Sequence, residues 1–188
     1  TNDTGDPDVL ALSDGATIRR TGASSSSSLT EVPSFGNTVS IIYDGTGSGS
    51  GTYTSGLELP SASASAAIEN ITANTGPRDV KFTTNSSGNL ATGNVVVTDT
   101  FDLKSGTVEH GVEGQSGSRR LEIADGGVFA QKDGTISDGS GSLDESQPIV
   151  ASDYTLRYYP SGDISTSSKE FLAGGAVSTL EFIDGPLD

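Results

Sequence analysis

One passage of this chain occurs twice, in the same order and with an offset between 109 and 115 residues. Leu10-Ala11-Leu12-Ser13-Asp14-Gly15-Ala16-Thr17-Ile18 returns as Leu121-Glu122-Ile123-Ala124-Asp125-Gly126-Gly127-Val128-Phe129. Val39-Ser40-Ile41-Ile42-Tyr43 returns as Tyr154-Thr155-Leu156-Arg157-Tyr158, and Ile68-Glu69-Asn70-Ile71 as Val177-Ser178-Thr179-Leu180. A repeat longer than ~50 residues is read as several structural rungs copied together. Such a unit cannot bury its apolar face alone and must stack on its neighbours, so the repeat points to length, surface or assembly more than to one catalytic pocket. The chain divides into an acidic arm (1–8), a first copy (9–118) and a second, incomplete copy (119–188).

Between the repeats, short β-branched clusters alternate with Gly, Asp, Asn and Ser, the pattern of strands and turns. Strands are expected at Thr38–Tyr43, Ile68–Thr72, Val80–Thr83, Val95–Thr98, Phe101–Leu103 and Leu121–Ile123. More are expected at Val128–Ala130, Thr135–Ser137, Tyr154–Tyr158 and Val177–Ile183, and two short ones flank the turn Ser13-Asp14-Gly15. No stretch carries apolar residues at helical spacing over a dozen positions, so the expected class is all-β. The strands are short, the turns are often Asp-Gly, and small residues sit between the larger apolar ones, as a narrow stacked core requires. These features favour a right-handed parallel β-helix (a β-solenoid), with a β-sandwich or barrel as the alternative. Disorder is the third reading, because Leu, Ile, Val and Phe make only 41 of 188 residues.

Charge and missing residue types exclude several function classes. The net charge is -15, from 25 Asp and Glu against 10 Lys and Arg, so nucleic acid is a poor partner. The acidity reads either as a surface adapted to high salt, as in proteins of salt-loving organisms, or as oxygen ligands for a divalent cation. The chain has no Cys, which removes disulfides, cysteine metal sites and thiol nucleophiles. A single histidine, His110, makes a histidine-based triad or zinc site a poor fit. The chain opens at Thr1, as a processed mature chain or a fragment would, and no apolar run is long enough for a membrane span.

Candidate sites follow from what remains. Asp3, Asp6 and Asp8 cluster oxygen ligands as a calcium loop does, without the full spacing of an EF-hand, so calcium is the one cofactor to consider. The plainer reading of that arm is a solvated terminus, and the plainer reading of Asp14-Gly15, Asp125-Gly126 and Asp133-Gly134 is the favoured Asp-Gly turn. Arg19-Arg20 and Arg119-Arg120 could meet an acidic sugar or an acidic neighbour; as ordinary surface residues they would pair with nearby carboxylates. Tyr158 and Tyr159 could stack on sugar rings, although half-buried strand tyrosines are commoner. Asn2, Asn70 and Asn85 match the glycosylation acceptor pattern. In a solenoid the open terminal strands recruit further strands, so Val9, Leu10 and Leu12 at one end and Val177, Leu180, Phe182 and Ile183 at the other are the expected joining edges.

The run from Val39-Ser40-Ile41-Ile42-Tyr43 through Gly56-Leu57-Glu58-Leu59-Pro60 to Ile68-Glu69-Asn70-Ile71-Thr72, followed by Phe101-Asp102-Leu103-Lys104-Ser105-Gly106, resembles a tandem repeat of very large secreted surface proteins of Bacteroidota-type bacteria. The second copy departs from it, with Phe171-Leu172 in place of Leu-Pro. The resemblance implies a β-helix outside the cell with an adhesive or scaffolding role, and it carries over no catalytic residues. The expected function is therefore non-catalytic: a structural β-solenoid, secreted or attached to the cell surface, that joins copies of itself end to end into a fibre or filament. The alternative is a carbohydrate-binding adhesin module built on Tyr158, Tyr159, Arg119 and Arg120. Neither nucleic acid nor membrane insertion is expected.

Overall fold

The computed structural model describes residues 10–21, 29, 31–45, 51–60, 66–82, 95–110, 121–137, 149–150, 153–159 and 176–183. Eleven strands run through them: β1 (Ala16–Thr21), β2 (Thr38–Asp44), β3 (Thr52–Thr54), β4 (Ala67–Phe82), β5 (Val95–His110), β6 (Leu121–Ile123), β7 (Val128–Gln131), β8 (Thr135–Ser137), β9 (Ile149–Val150), β10 (Tyr154–Tyr158) and β11 (Val177–Phe182). Every pairing between them is parallel. A sandwich of antiparallel hairpins cannot give that pattern, whereas a chain coiling so that each turn lies on the previous one must. The protein is a β-solenoid, and no helix occurs among the described residues.

The main face stacks seven strands in the order β1-β2-β4-β5-β7-β10-β11. At the usual strand spacing this is roughly 29 Å from first strand to last. A second face holds β3, the end of β4, the end of β5 and β8, and a third holds the start of β5, β6 and β9. Ala11 bridges Ser34 in parallel just before β1 and β2, the place in the coil that β6 holds before β7.

Strand alternation builds the core directly. In β2 the side chains of Val39, Ile41 and Tyr43 are buried while their neighbours are half-exposed, and in β10 Tyr154, Leu156 and Tyr158 do the same. Because the middles of these strands stay in register, side chains form columns along the axis. One inward column reads Ile18, Ile41, Ile71, Phe101, Phe129, Leu156 and Leu180; the next reads Arg20, Tyr43, Ala73, Leu103, Gln131, Tyr158 and Phe182. Phe101 and Phe129 stack at 5.6 Å between centroids, within the offset-stacked range.

The duplicated passages fall on equivalent strands. β1, β2 and β4 of the first passage correspond to β7, β10 and β11 of the second, and Ile18 and Phe129, Ile41 and Leu156, Ile71 and Leu180 occupy one column. The corners repeat as well. Gly15 and Gly126 both adopt positive φ, 70° and 77°, at Asp-Gly turns, and each donates its N–H to the next coil, to Thr38 O and Asp153 O.

Two expectations differ from the fold. The separate strands expected at Ile68–Thr72 and Val80–Thr83 are one strand, β4, and those at Val95–Thr98 and Phe101–Leu103 are parts of β5. Both long strands turn a corner at a glycine of positive φ, Gly76 (62°) and Gly106 (91°), where their pairing shifts register between Asn74–Ser105 and Asp79–Thr107. Polar side chains hold that corner: Gly76 N donates to Ser105 Oγ (2.9 Å), and Ser105 Oγ donates to Asn74 Oδ1 (3.0 Å). Of the two strands expected around Ser13-Asp14-Gly15, only β1 is a full strand; its predecessor makes a single bridge.

Candidate functional site

The end of the stack formed by β11 carries the most unusual surface among the described residues. Leu180 and Phe182 stand in the two inward columns, where every preceding residue from β2 through β10 is buried, yet they are 50% and 63% exposed. The cause is topological. β11 pairs with β10 on one side, and no described strand pairs with its other side. One face of the Phe182 ring lies on Tyr158, with centroids 5.8 Å apart and planes 20° from parallel. Val177 packs against the core from a half-buried position, and Ile183, half-buried, donates its N–H to Tyr158 O (2.9 Å). Outward on the same strand, Glu181 accepts from Arg157 Nε at 2.6 Å, a cation and an anion on successive strands of one column.

The opposite end is β1, paired only with β2 among the described strands. Leu10 is 52% exposed, Leu12 and Ile18 are half-buried, and Val9 lies outside the described residues. Arg19 points outward and reaches Asp44 at 2.9 Å. Arg20, its neighbour, points inward. Its Nη1 donates to Glu58 Oε1 at 2.7 Å, and the two side chains are 4% and 1% exposed. The guanidinium sits 5.8 and 5.7 Å from the ring centroids of Tyr43 and Tyr53, and Tyr43 OH also donates to Glu58 Oε1 (3.2 Å). Desolvating both charges is costly, and the ion pair, the two aromatic faces and the tyrosine hydroxyl offset that cost. The surface reading of Arg20 is thereby corrected, while Arg19 fits it. Strand parity carried the signal: Ala16, Ile18 and Arg20 share one side of β1.

The other sequence candidates are distributed as follows. Tyr158 and Tyr159 are each 3% exposed, so neither ring presents a face to a sugar; covering the inward column by β11 explains the first. Arg119 and Arg120, and the acidic cluster Asp3, Asp6 and Asp8, lie outside the described residues. Asp14 is a corner residue. Its Oδ1 accepts from Thr38 N (2.9 Å) and Thr38 Oγ1 (3.2 Å), and these bonds hold its carboxyl below the ordinary range. Asn70 is half-buried within the ladder: it donates to Ser40 Oγ (3.3 Å) and accepts from Thr100 N (3.2 Å). His110 is the last residue of β5. Asp102, outward on β5, is raised above the ordinary carboxylate range by burial, against the opposing pull of Lys104 at 3.7 Å. Among the described residues no three His, Asp or Glu side chains gather as a metal site would require.

No family model matches the chain, and neither a curated protein nor a solved structure matches it.

Proposed function

We propose that the chain is a non-catalytic structural segment: a β-solenoid that joins end to end through its terminal strands into a fibre or filament outside the cell. The observation that carries this reading is the pair Leu180 and Phe182, core positions by column and surface positions by exposure. An unpaired strand edge beside exposed apolar side chains is a template for another strand. The internal repeat supports the same reading, since each coil of a solenoid buries its apolar face only by stacking on a neighbour. The resemblance to secreted surface repeats supports the location, and the acidic exterior would keep such a fibre hydrated and separate from its neighbours.

Electron microscopy of the purified chain, combined with sedimentation over a range of concentrations, tests the proposal. Seven strands per copy give an expected axial repeat of about 34 Å in unbranched filaments. Discrete monomers at every concentration would refute it.

A further inference from the structure

Resting on the end-to-end reading, the geometry points to one particular joint: the outer edge of β11 receives β1 of a second copy in parallel, with Leu180 beside Ile18, Glu181 beside Arg19 and Phe182 beside Arg20. Three observations converge on this occupant and this register.

The first is a template inside the chain. β7 is the repeat's equivalent of β1, and it already seats on a preceding strand, β5, with Phe101 beside Phe129, Asp102 beside Ala130 and Leu103 beside Gln131. Placing β1 on β11 in the same way continues each column across the joint without a shift. The second is charge. In the outward column, β10 and β11 carry Arg157 and Glu181, and β1 carries Arg19, itself paired with Asp44. The joint would therefore read Arg157, Glu181, Arg19 in one column, alternating in sign, followed by Ile42 on β2, with Asp44 reached diagonally from its place beside Thr21. The direct pairing of Arg157 with Glu181 at 2.6 Å shows that this column brings opposite charges on successive strands into contact. Slipping the register by one residue would set Glu181 beside Ile18 or Arg20 and turn the inward set of the incoming β1 to the outer face. The third is the apolar surface: Leu180 at 50% and Phe182 at 63% exposure would gain the cover that the same columns have at every inner strand. The interface uses different surfaces on the two partners, so it does not close and propagates along the axis.

Charge reversal tests the register. Assembly is followed by sedimentation at about 0.1 M salt, where exposed charges act over about 10 Å, and each variant's fold is checked by circular dichroism. Glu181→Arg and Arg19→Glu should each weaken association about tenfold, by replacing attraction with repulsion at the joint. An equimolar mixture of the two should recover it, because every joint between unlike copies again faces Arg with Glu. Glu181→Gln and Arg19→Gln create no like-charge clash within the chain and should each weaken assembly about threefold; they decide the matter if a reversed variant does not fold. Assembly of the wild-type chain with single variants indistinguishable from it would overturn the joint and leave end-to-end assembly standing. Weakened single variants whose mixture does not recover would overturn the register in the same way. Wild-type chains that never associate would overturn the joint together with the function it rests on.

Discussion

Removing Glu58 alone should be far more damaging than removing Glu58 together with Arg20. The pair is closed at 2.7 Å with 4% and 1% of the side chains exposed, so neither charge can turn to water when its partner is lost. Breaking a buried pair from one side costs about 3–5 kcal/mol, whereas replacing both charges by neutral groups of similar volume is often neutral or stabilising. Glu58 Oε2 has no hydrogen-bond partner among the described residues, which further reduces what the intact pair contributes. Glu58→Ala should therefore cost about 4 kcal/mol. With a urea dependence of ~2 kcal/mol/M, that moves the unfolding midpoint down by about 2 M. In Arg20→Met with Glu58→Gln, the methionine lies between the rings of Tyr43 and Tyr53 and the amide oxygen keeps the Tyr43 hydrogen bond. That variant should fall within about 1 kcal/mol of wild type. Coils stack on nearest neighbours only, so the loss should be local. Amide exchange should quicken in β2 and β3 and stay unchanged in β10. Single variants costing under ~1 kcal/mol, or costs that simply add in the double variant, would refute the argument that these charges depend on each other.

Three further perturbations follow from the corners and from the outward face. Asp102 has its carboxyl raised by burial, so the folded state binds its proton more tightly than the unfolded chain does, and stability falls as pH rises from the ordinary value of 3.8 through the raised one. Asp102→Asn should raise the thermal midpoint at pH 7, and the gain should vanish below that window, where the carboxyl is neutral in both states. Asp14 behaves oppositely: its lowered pKa contributes stability above the ordinary value that is lost as pH falls through the folded one, so Asp14→Ala should narrow the difference from wild type in strong acid. At Gly36, a Cβ would stand 2.5 Å from Asp14 N and 2.6 Å from Asp14 Cα, both backbone atoms that cannot rotate away. Gly36→Ala should destabilise by about 1–3 kcal/mol in thermal or urea unfolding, as overpacking does.

Much of the fold was legible because a solenoid writes its geometry locally. Tyr154–Tyr158 alternates apolar and polar residues and is the strand β10 without adjustment, and the duplicated passages fall on equivalent coils. Asp14-Gly15 and Asp125-Gly126 are turns for the reason their chemistry suggests: a glycine takes the positive φ. What periodicity could not show was continuation around a corner. At Gly76 and Gly106 the chain changes face, and the ladder shifts register and resumes beyond the corner, so a local reading breaks β4 and β5 into pieces. The site was half legible. Leu180 and Phe182 are apolar residues near the end of a repeat, which marks an edge. Residue type suggests a surface place for Arg20, its parity with Ile18 an inward one, and its partner Glu58 lies 38 residues on, beyond any local window. Tyr158 fits the commoner reading, a buried strand tyrosine, and its cover by β11 is a contact that no local window contains.

The buried Arg20–Glu58 pair also gives the stack a direction. One terminal coil closes over a charge held between two aromatic rings, while the other leaves a leucine and a phenylalanine bare. A rod with such unlike tips has a head and a tail, and copies added to it would arrive at different rates at the two. If such a rod were cut between copies, each fragment would keep the same sense, so growth could be anchored at one tip and continue only at the other.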